Sequence, residues 1–380
     1  MDPNVTIRQR APIIPDVESQ KQIKKIGSLA STKKAFGLYD ISRSNGETPV
    51  SSVTVTKDMI VPQLSSNVMN CGMTVMKVNL SDEEVTPEFL KPLFQEIHQQ
   101  LRKGPYSFTK EEAYKMFQHG AKEGIKYFGL DENFLDRIDQ RGQSNLMQLK
   151  TKDLQMREVL PWTSQFMGAY NAPGNYLKGN HFLEVQQADK VLHKEHAKKL
   201  GIKQGDHFIT YHFDSPLTML LSFNYVLRKK IFTYNFFKKN GIYLSKILFH
   251  FIQNAPHLNF ATKFDHYFRY RPYTEIPLNS LEGQRFIHAL HFGNNYGYVA
   301  RLALGKVVKE ALKKTYDKKI KLDLVSDHGH DTFRAEQYEG EDYIIARKGA
   351  GRAEASCFFA FFVYFNAAFN PSGVCCRSNN

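Results

Sequence analysis

Gly179-Asn180-His181-Phe182-Leu183-Glu184, taken with Asn70-Cys71-Gly72-Met73 upstream and His330 downstream, constrains this chain more than any other feature. One soft thiolate and several imidazoles lie scattered along the sequence, so only folding can gather them at a transition metal. This is not a local zinc knuckle, which needs closely spaced pairs such as C-x₂-C. His181, His212 and His330 each stand at or just after a strand-like stretch, and Cys71 sits beside Gly72 in a loop. Donors at separate strand ends can converge, and thiolate with imidazole suits zinc, manganese, iron or cobalt. The chain has 14 His, so any one taken alone is more often a surface or satisfied core residue, and His207 and His328 compete for the same roles on spacing. Cys71 alone would equally serve as a small buried hydrophobe.

The hydropathy pattern predicts a mixed α/β chain. Residues 1–50 are rich in Lys, Ser, Pro and Gly without sustained periodicity, which predicts a loosely ordered start. Val53 to Leu80 reads as strands around the Cys71 loop. A helix follows, with Thr86 as N-cap, Pro87 in the first turn and Gly104 past its end. Thr109-x-x-Glu112 forms the capping box of another helix that stops at Gly120. Phe208 to His212 alternates like a strand that delivers His212 at its end. Arg285 to Tyr316 reads as largely helical, and Lys321 to Val325 as a strand running into Asp327-His328-Gly329-His330. There is no internal repeat.

At 380 residues the chain can bury a large core, and 42% hydrophobic with 23% charged residues suits a soluble globular protein. The net charge of +13 favours a polyanionic partner such as nucleic acid or a nucleotide, the plainer reading being a merely basic surface. Four Cys, two of them adjacent at Cys375 and Cys376, fit a reducing compartment better than a disulfide scaffold. With no apolar leader after Met1 and no membrane-length apolar run, the expected location is cytoplasmic. Lys348 lies in the cationic, Gly-rich stretch Arg347-Lys348-Gly349-Ala350-Gly351-Arg352, which suits a phosphate or an exposed basic hairpin, and is no Walker loop. Glu184 can hydrogen-bond a ligand base or stand as a solvated charge.

These segments together resemble the RtcB RNA ligases. The family's G-N-H-F-x-E matches Gly179 to Glu184 unchanged, and its D-x-N-C-G resembles Val68-Met69-Asn70-Cys71-Gly72. Its N-Y-A-x-x-N-R resembles Asn295 to Arg301. Its D-x-x-H-N, an acid and H-R-K-G-A-T-R-A resemble Asp327 to Asp331, Glu336 and Arg347 to Ala353. The order is the family's, over roughly residues 50 to 353. The resemblance implies a ligase that uses GTP and Mn(II) to join an RNA 3′-phosphate or 2′,3′-cyclic phosphate end to a 5′-hydroxyl end. Carried over by position, Cys71, His181, His212 and His330 would hold metal, and Asn180 and Glu184 would contact the guanylate, with Lys348 helping to hold phosphate.

Four departures stand out. The family's metal-binding Asp falls on Val68, and its H-x-G-S-R is here His212-Phe213-Asp214-Ser215-Pro216. Asn of D-x-x-H-N is Asp331. The guanylylated His belongs to an H-G-A-G-R segment, and no His follows His330. The expected organisation is therefore a loose segment at 1–50, an RtcB-like ligase domain at 51–355 lacking its C-terminal part, and an aberrant aromatic and Cys-containing tail at 356–380. The expected function is RNA ligation. The rivals are a catalytically incomplete metal- and nucleotide- or RNA-binding remnant of that family, and a metal-dependent phosphoesterase, against which the intact G-N-H-F-x-E argues.

Overall fold

The computed structural model describes residues 4–8, 14–44, 47–64, 69–104, 106–159, 181–214, 273–316 and 319–352, and the backbone of 363–369. Local capping chemistry sets the helices. α1 (Val17–Gly27) opens at Asp16, whose carboxylate accepts from the Ser19 amide at 2.9 Å. α2 (Pro87–Lys103) begins after Thr86 with Pro87 in its first turn and ends at Gly104, which takes the left-handed φ of 69°. α3 (Lys110–His119) carries the reciprocal Thr109–Glu112 box, and after Gly120 the chain turns directly into α4 (Ala121–Phe128). Two short helices, α5 (Met156–Val159) and α6 (Lys194–Lys199), precede the 35-residue α7 (Leu281–Thr315).

α7 is buried on every side over most of its length, and packs against α2, α3 and α4. A helix buried all round cannot be amphipathic, so its polar residues must find partners inside the protein. They do so by holding loops. Gln284 accepts from the Thr151 amide at 2.7 Å, and Asn295 accepts from the Ser144 amide at 2.7 Å. Asn295 also donates to the Phe117 carbonyl at 2.8 Å, and Asn294 donates to the Phe333 carbonyl at 3.1 Å.

Two five-stranded sheets complete the core, giving the mixed α/β class expected from the sequence. The first runs in the order β1 (Val5–Ile7), β2 (Thr32–Ser42), β3 (Val50–Thr56), β11 (Glu341–Lys348), β10 (Thr332–Tyr338). The second runs β12 (Val363–Phe369), β6 (Phe182–Val191), β7 (His207–Phe213), β5 (Gly72–Val78), β9 (Leu322–Gly329). A minimal pair joins β4 (Met59–Ile60) to β8 (Ile276–Pro277). α7 contacts both large sheets: the Phe286 ring meets Phe333 of β10, and Tyr211 of β7 donates its hydroxyl to the Arg301 carbonyl at 2.9 Å.

Two expectations from composition are corrected. The first fifty residues are not loosely ordered where they are described: α1 and β2 lie there, with Ile23, Ile26 and Ala35 fully buried. Lys-rich faces hid the apolar i, i+3 pair of α1. The aromatic stretch read as part of a foreign tail supplies β12, which pairs antiparallel with β6 along the edge of the second sheet.

Candidate metal centre

Sheet register places four donors at one place. Gly72 pairs with Phe213 on one side and with Gly329 on the other, and Phe182 pairs with His212. Because β5 runs antiparallel to β7 and β9, and β6 to β7, the starts of β5 and β6 lie beside the ends of β7 and β9. Cys71, His181, His212 and His330 occupy those four adjacent ends, on strands about 4.8 Å apart. The Cys71 Sγ lies 3.0 Å from His212 Nε2 and 3.5 Å from His181 Nε2, and His212 Nε2 lies 2.9 Å from His330 Nε2. Two overlapping donor sets result, Cys71–His212–His330 and Cys71–His181–Asp214, each with its donor atoms within 4.8 Å of one another.

The cysteine loop is held from behind. Asn70 adopts a left-handed φ of 53°, its amide donates to the Asp331 carbonyl at 2.6 Å, and its side chain donates to the Asn294 carbonyl at 2.6 Å. The Cys71 carbonyl accepts from the His330 amide at 2.8 Å, tying the first donor to the last. Gly72 is required by close approach: a Cβ there would run into the His328 carbonyl and the Arg301 guanidinium. The Arg301 guanidinium is fully buried and grips Asp327 while donating to the Asn70 carbonyl. The N-Y-G-Y-V-A-R stretch therefore supports the loop from α7.

Burial governs the electrostatics. It pushes the Cys71 thiol well above its usual range, with Asp214 and Asp331 adding to the effect. Burial, with His212 beside it, lowers His330 to about 3, and burial with the Asp331 charge raises Asp214 to about 7. At neutral pH the centre thus holds a neutral thiol and a neutral His330 ring. A divalent cation at this point would favour the thiolate, as metal ligation requires. The donor sets fit such an ion: soft sulfur, imidazole nitrogens and a carboxylate suit a borderline metal, and the separations of 2.9 and 3.0 Å allow Cys71, His212 and His330 to reach one ion on bonds of about 2.0–2.3 Å.

The remaining candidates fall elsewhere. His207 lies at the far end of β7, where its Nδ1 donates to the Leu80 carbonyl at 3.0 Å, five residues and about 16 Å along the strand from His212. His328 is on β9 but belongs to neither donor set. Glu184 shares a sheet face with His212 two pairs along, because Glu184 pairs with Thr210, and it accepts from Gln186 Nε2 at 3.1 Å. Asn180 lies outside the described residues. Lys348 ends β11 and donates to Ser44 Oγ at 2.9 Å and to the Thr48 carbonyl at 2.6 Å. The turn after it reaches the centre's rim, since the Gly349 amide donates to the Asp331 carboxylate at 2.9 Å and the Ala350 amide to the His330 carbonyl at 2.9 Å. Arg347 pairs with Glu336 at 2.8 Å. Asp214 was missed by sequence reasoning. Its signal was the His-x-Asp spacing at a strand end.

The family model described as tRNA-splicing ligase RtcB matches residues 22–218 and 244–366. The chain is 25% identical over 300 residues to the tRNA-splicing ligase RtcB of Methanococcus maripaludis, covering 75% of this chain and 54% of that protein. It is 26% identical over 299 residues to that of Aeropyrum pernix, with 75% and 54% covered. With that of Thermococcus kodakarensis it shares 23% over 359 residues, 89% of this chain and 67% of the relative. The chain spans about half the length of the first two of these relatives. Among the described residues, no helix is long and apolar enough to cross a membrane.

Proposed function

Because the chain belongs to the RtcB family of tRNA-splicing ligases, whose model matches most of its length, we propose that it serves RNA end joining with GTP and Mn(II). The ends are an RNA 3′-phosphate, or 2′,3′-cyclic phosphate, and a 5′-hydroxyl. The observation that carries this reading is the convergence of Cys71, His181, His212 and His330 at four neighbouring strand ends. Bound there, Mn(II) would neutralise phosphate charge and polarise the phosphoryl oxygen.

The chain's own residues divide the remaining work. A phosphate monoester oxygen leaves poorly, so a guanylyl group must first be brought to the RNA 3′-phosphate. Glu184, on the His212 face of the sheet, would accept from a guanine, and Asn180 adjoins His181 in sequence. The turn at Gly349 and Ala350, which reaches the rim, directly follows the basic Arg347-Lys348 pair, whose charge favours an anionic substrate nearby. The net charge of +13 suits an RNA backbone. Cytoplasmic placement accords with this substrate and with the free thiol at Cys71.

A second reading is favoured by one observation: no His follows His330, and His181, His212 and His330 all belong to the donor sets. On that reading these 380 residues bind metal, nucleotide and RNA without forming the covalent guanylate. Calorimetric titration of the chain with Mn(II), and then with GTP, tests what both readings share. Saturable GTP binding that needs Mn(II) is expected. Absence of GTP binding in the presence of Mn(II) overturns both.

A further inference from the structure

We propose that Asp214 is a metal ligand of this chain, acting in the Cys71–His181–Asp214 donor set described above. The proposal rests on the metal-dependent reading above and adds to it the origin of a carboxylate that the sequence has lost elsewhere.

Three independent observations converge on Asp214. The first is position: it follows His212 by two residues, just past the end of β7. Its carboxylate, the Cys71 sulfur and a His181 nitrogen all lie within 4.8 Å of one another. The second is an unmet need. Asp214 is 6% exposed, and its Oδ2 accepts no hydrogen bond among the described residues. The nearest cationic candidate, His181 Nε2, stands 3.7 Å away, too far for a hydrogen bond. A buried carboxylate oxygen without a donor is costly, and a cation between it, the thiolate and the imidazole removes that cost. The Asp331 carboxylate, by contrast, already accepts from the Gly349 amide.

The third observation is an exchange within the sequence. Val68 stands where the resemblance calls for a metal-binding Asp, and Asp214 stands where H-x-G-S-R has Gly. One carboxylate disappears from the cysteine loop and another appears on the neighbouring strand, which pairs with β5 at Gly72 and Phe213. The number of anionic donors at the centre is unchanged. A hard oxygen donor also shifts the site towards Mn(II) among the metals that thiolate and imidazole suit. Cys71 is common to both sets, so its sulfur would contact an ion in either.

The test uses Mn(II) alone on the full 380-residue chain, with no GTP or RNA. Metal-stripped chain is dialysed against Mn(II), and stoichiometry is read by elemental analysis and by low-temperature electron paramagnetic resonance. Two ions per chain with an exchange-coupled spectrum are expected for the parent. Asp214→Asn is expected to hold one ion with an uncoupled six-line spectrum, its fold checked by circular dichroism. If Asp214→Asn does not fold, the parent decides alone, since a single uncoupled ion there overturns the proposal. Retention of two coupled ions in Asp214→Asn overturns the Asp214 assignment and leaves the ligase reading standing. Absence of any bound Mn(II) in the parent overturns both.

Discussion

Arg301 grips both carboxylate oxygens of Asp327, at 2.8 and 2.7 Å, with neither side chain reaching solvent. A third bond from the same guanidinium goes to the carbonyl of Asn70, next to Cys71. The pair links α7 to β9 and sets the height of the cysteine loop against the sheet. Asp327 also accepts from Thr74 of β5, so the ion pair spans three elements.

Breaking that pair from one side should therefore unfold much of the molecule's margin of stability. Arg301→Met leaves the Asp327 charge buried without its partner, which costs about 3–5 kcal/mol. Denaturant unfolding of the metal-free chain measures it. Adding Asp327→Asn to Arg301→Met is expected to recover part of the loss, and a drop below about 1 kcal/mol in the single variant contradicts the role assigned to the pair.

Cys71 touches both donor sets, whereas His330 touches one. Cys71→Ala is accordingly expected to lower bound Mn(II) more than His330→Ala does, with both below the parent. Elemental analysis of the three proteins after identical loading decides it, and equal occupancy in all three removes Cys71 and His330 from the ligand set.

Glu184 and Asn180 should separate nucleotide from metal. Each alanine variant is expected to weaken GTP binding about tenfold or more, in line with roughly 1–3 kcal/mol for a lost buried hydrogen bond, while Mn(II) uptake stays near that of the parent. Calorimetry with GTP at saturating Mn(II) reads the difference. Unchanged nucleotide affinity in both variants counts against the assignment.

The same 380 residues, incubated with radiolabelled GTP and Mn(II), are expected to acquire no acid-labile label. A phosphoramidate needs an imidazole lone pair that is not committed to a cation, and the sequence has no His beyond His330. Lys348 could attack as an amine, but its ammonium is already bonded to Ser44 and Thr48. Clear labelling after denaturation would show that the chain carries its own nucleophile.

Acid should weaken the fold through His291 of α7. Burial lowers this ring to about 4, although its Nε2 donates to the Gln118 carbonyl at 3.2 Å. The unfolded chain takes up the proton near the ordinary value of about 6.5, so between pH 6.5 and 4 the unfolded state binds more protons. Stability is full above that window and falls as pH drops through it, by up to about 3 kcal/mol from this residue. Urea unfolding at several pH values should show a shallower acid slope for His291→Gln than for the parent; parallel slopes would dismiss the residue.

Much of this molecule was legible in its sequence because the signals were local. Thr86, Pro87 and Gly104 bound α2, and Thr109 with Glu112 opens α3, since capping groups satisfy backbone donors within three residues of themselves. The convergence of Cys71, His181, His212 and His330 was legible from residue type and motif. α1 and β12 were not, because a Lys-rich helix and an aromatic run reveal their faces only against the sheets that cover them. Nor could spacing separate His212 from His207 or His328; the antiparallel register did so by carrying one end of β7 to the cysteine loop and the other away from it. Asp214 had only the His-x-Asp spacing as a local signal; strand pairing is what brings its carboxylate to the sulfur and the imidazole. Residue chemistry is written along the chain, but coordination depends on distances across it.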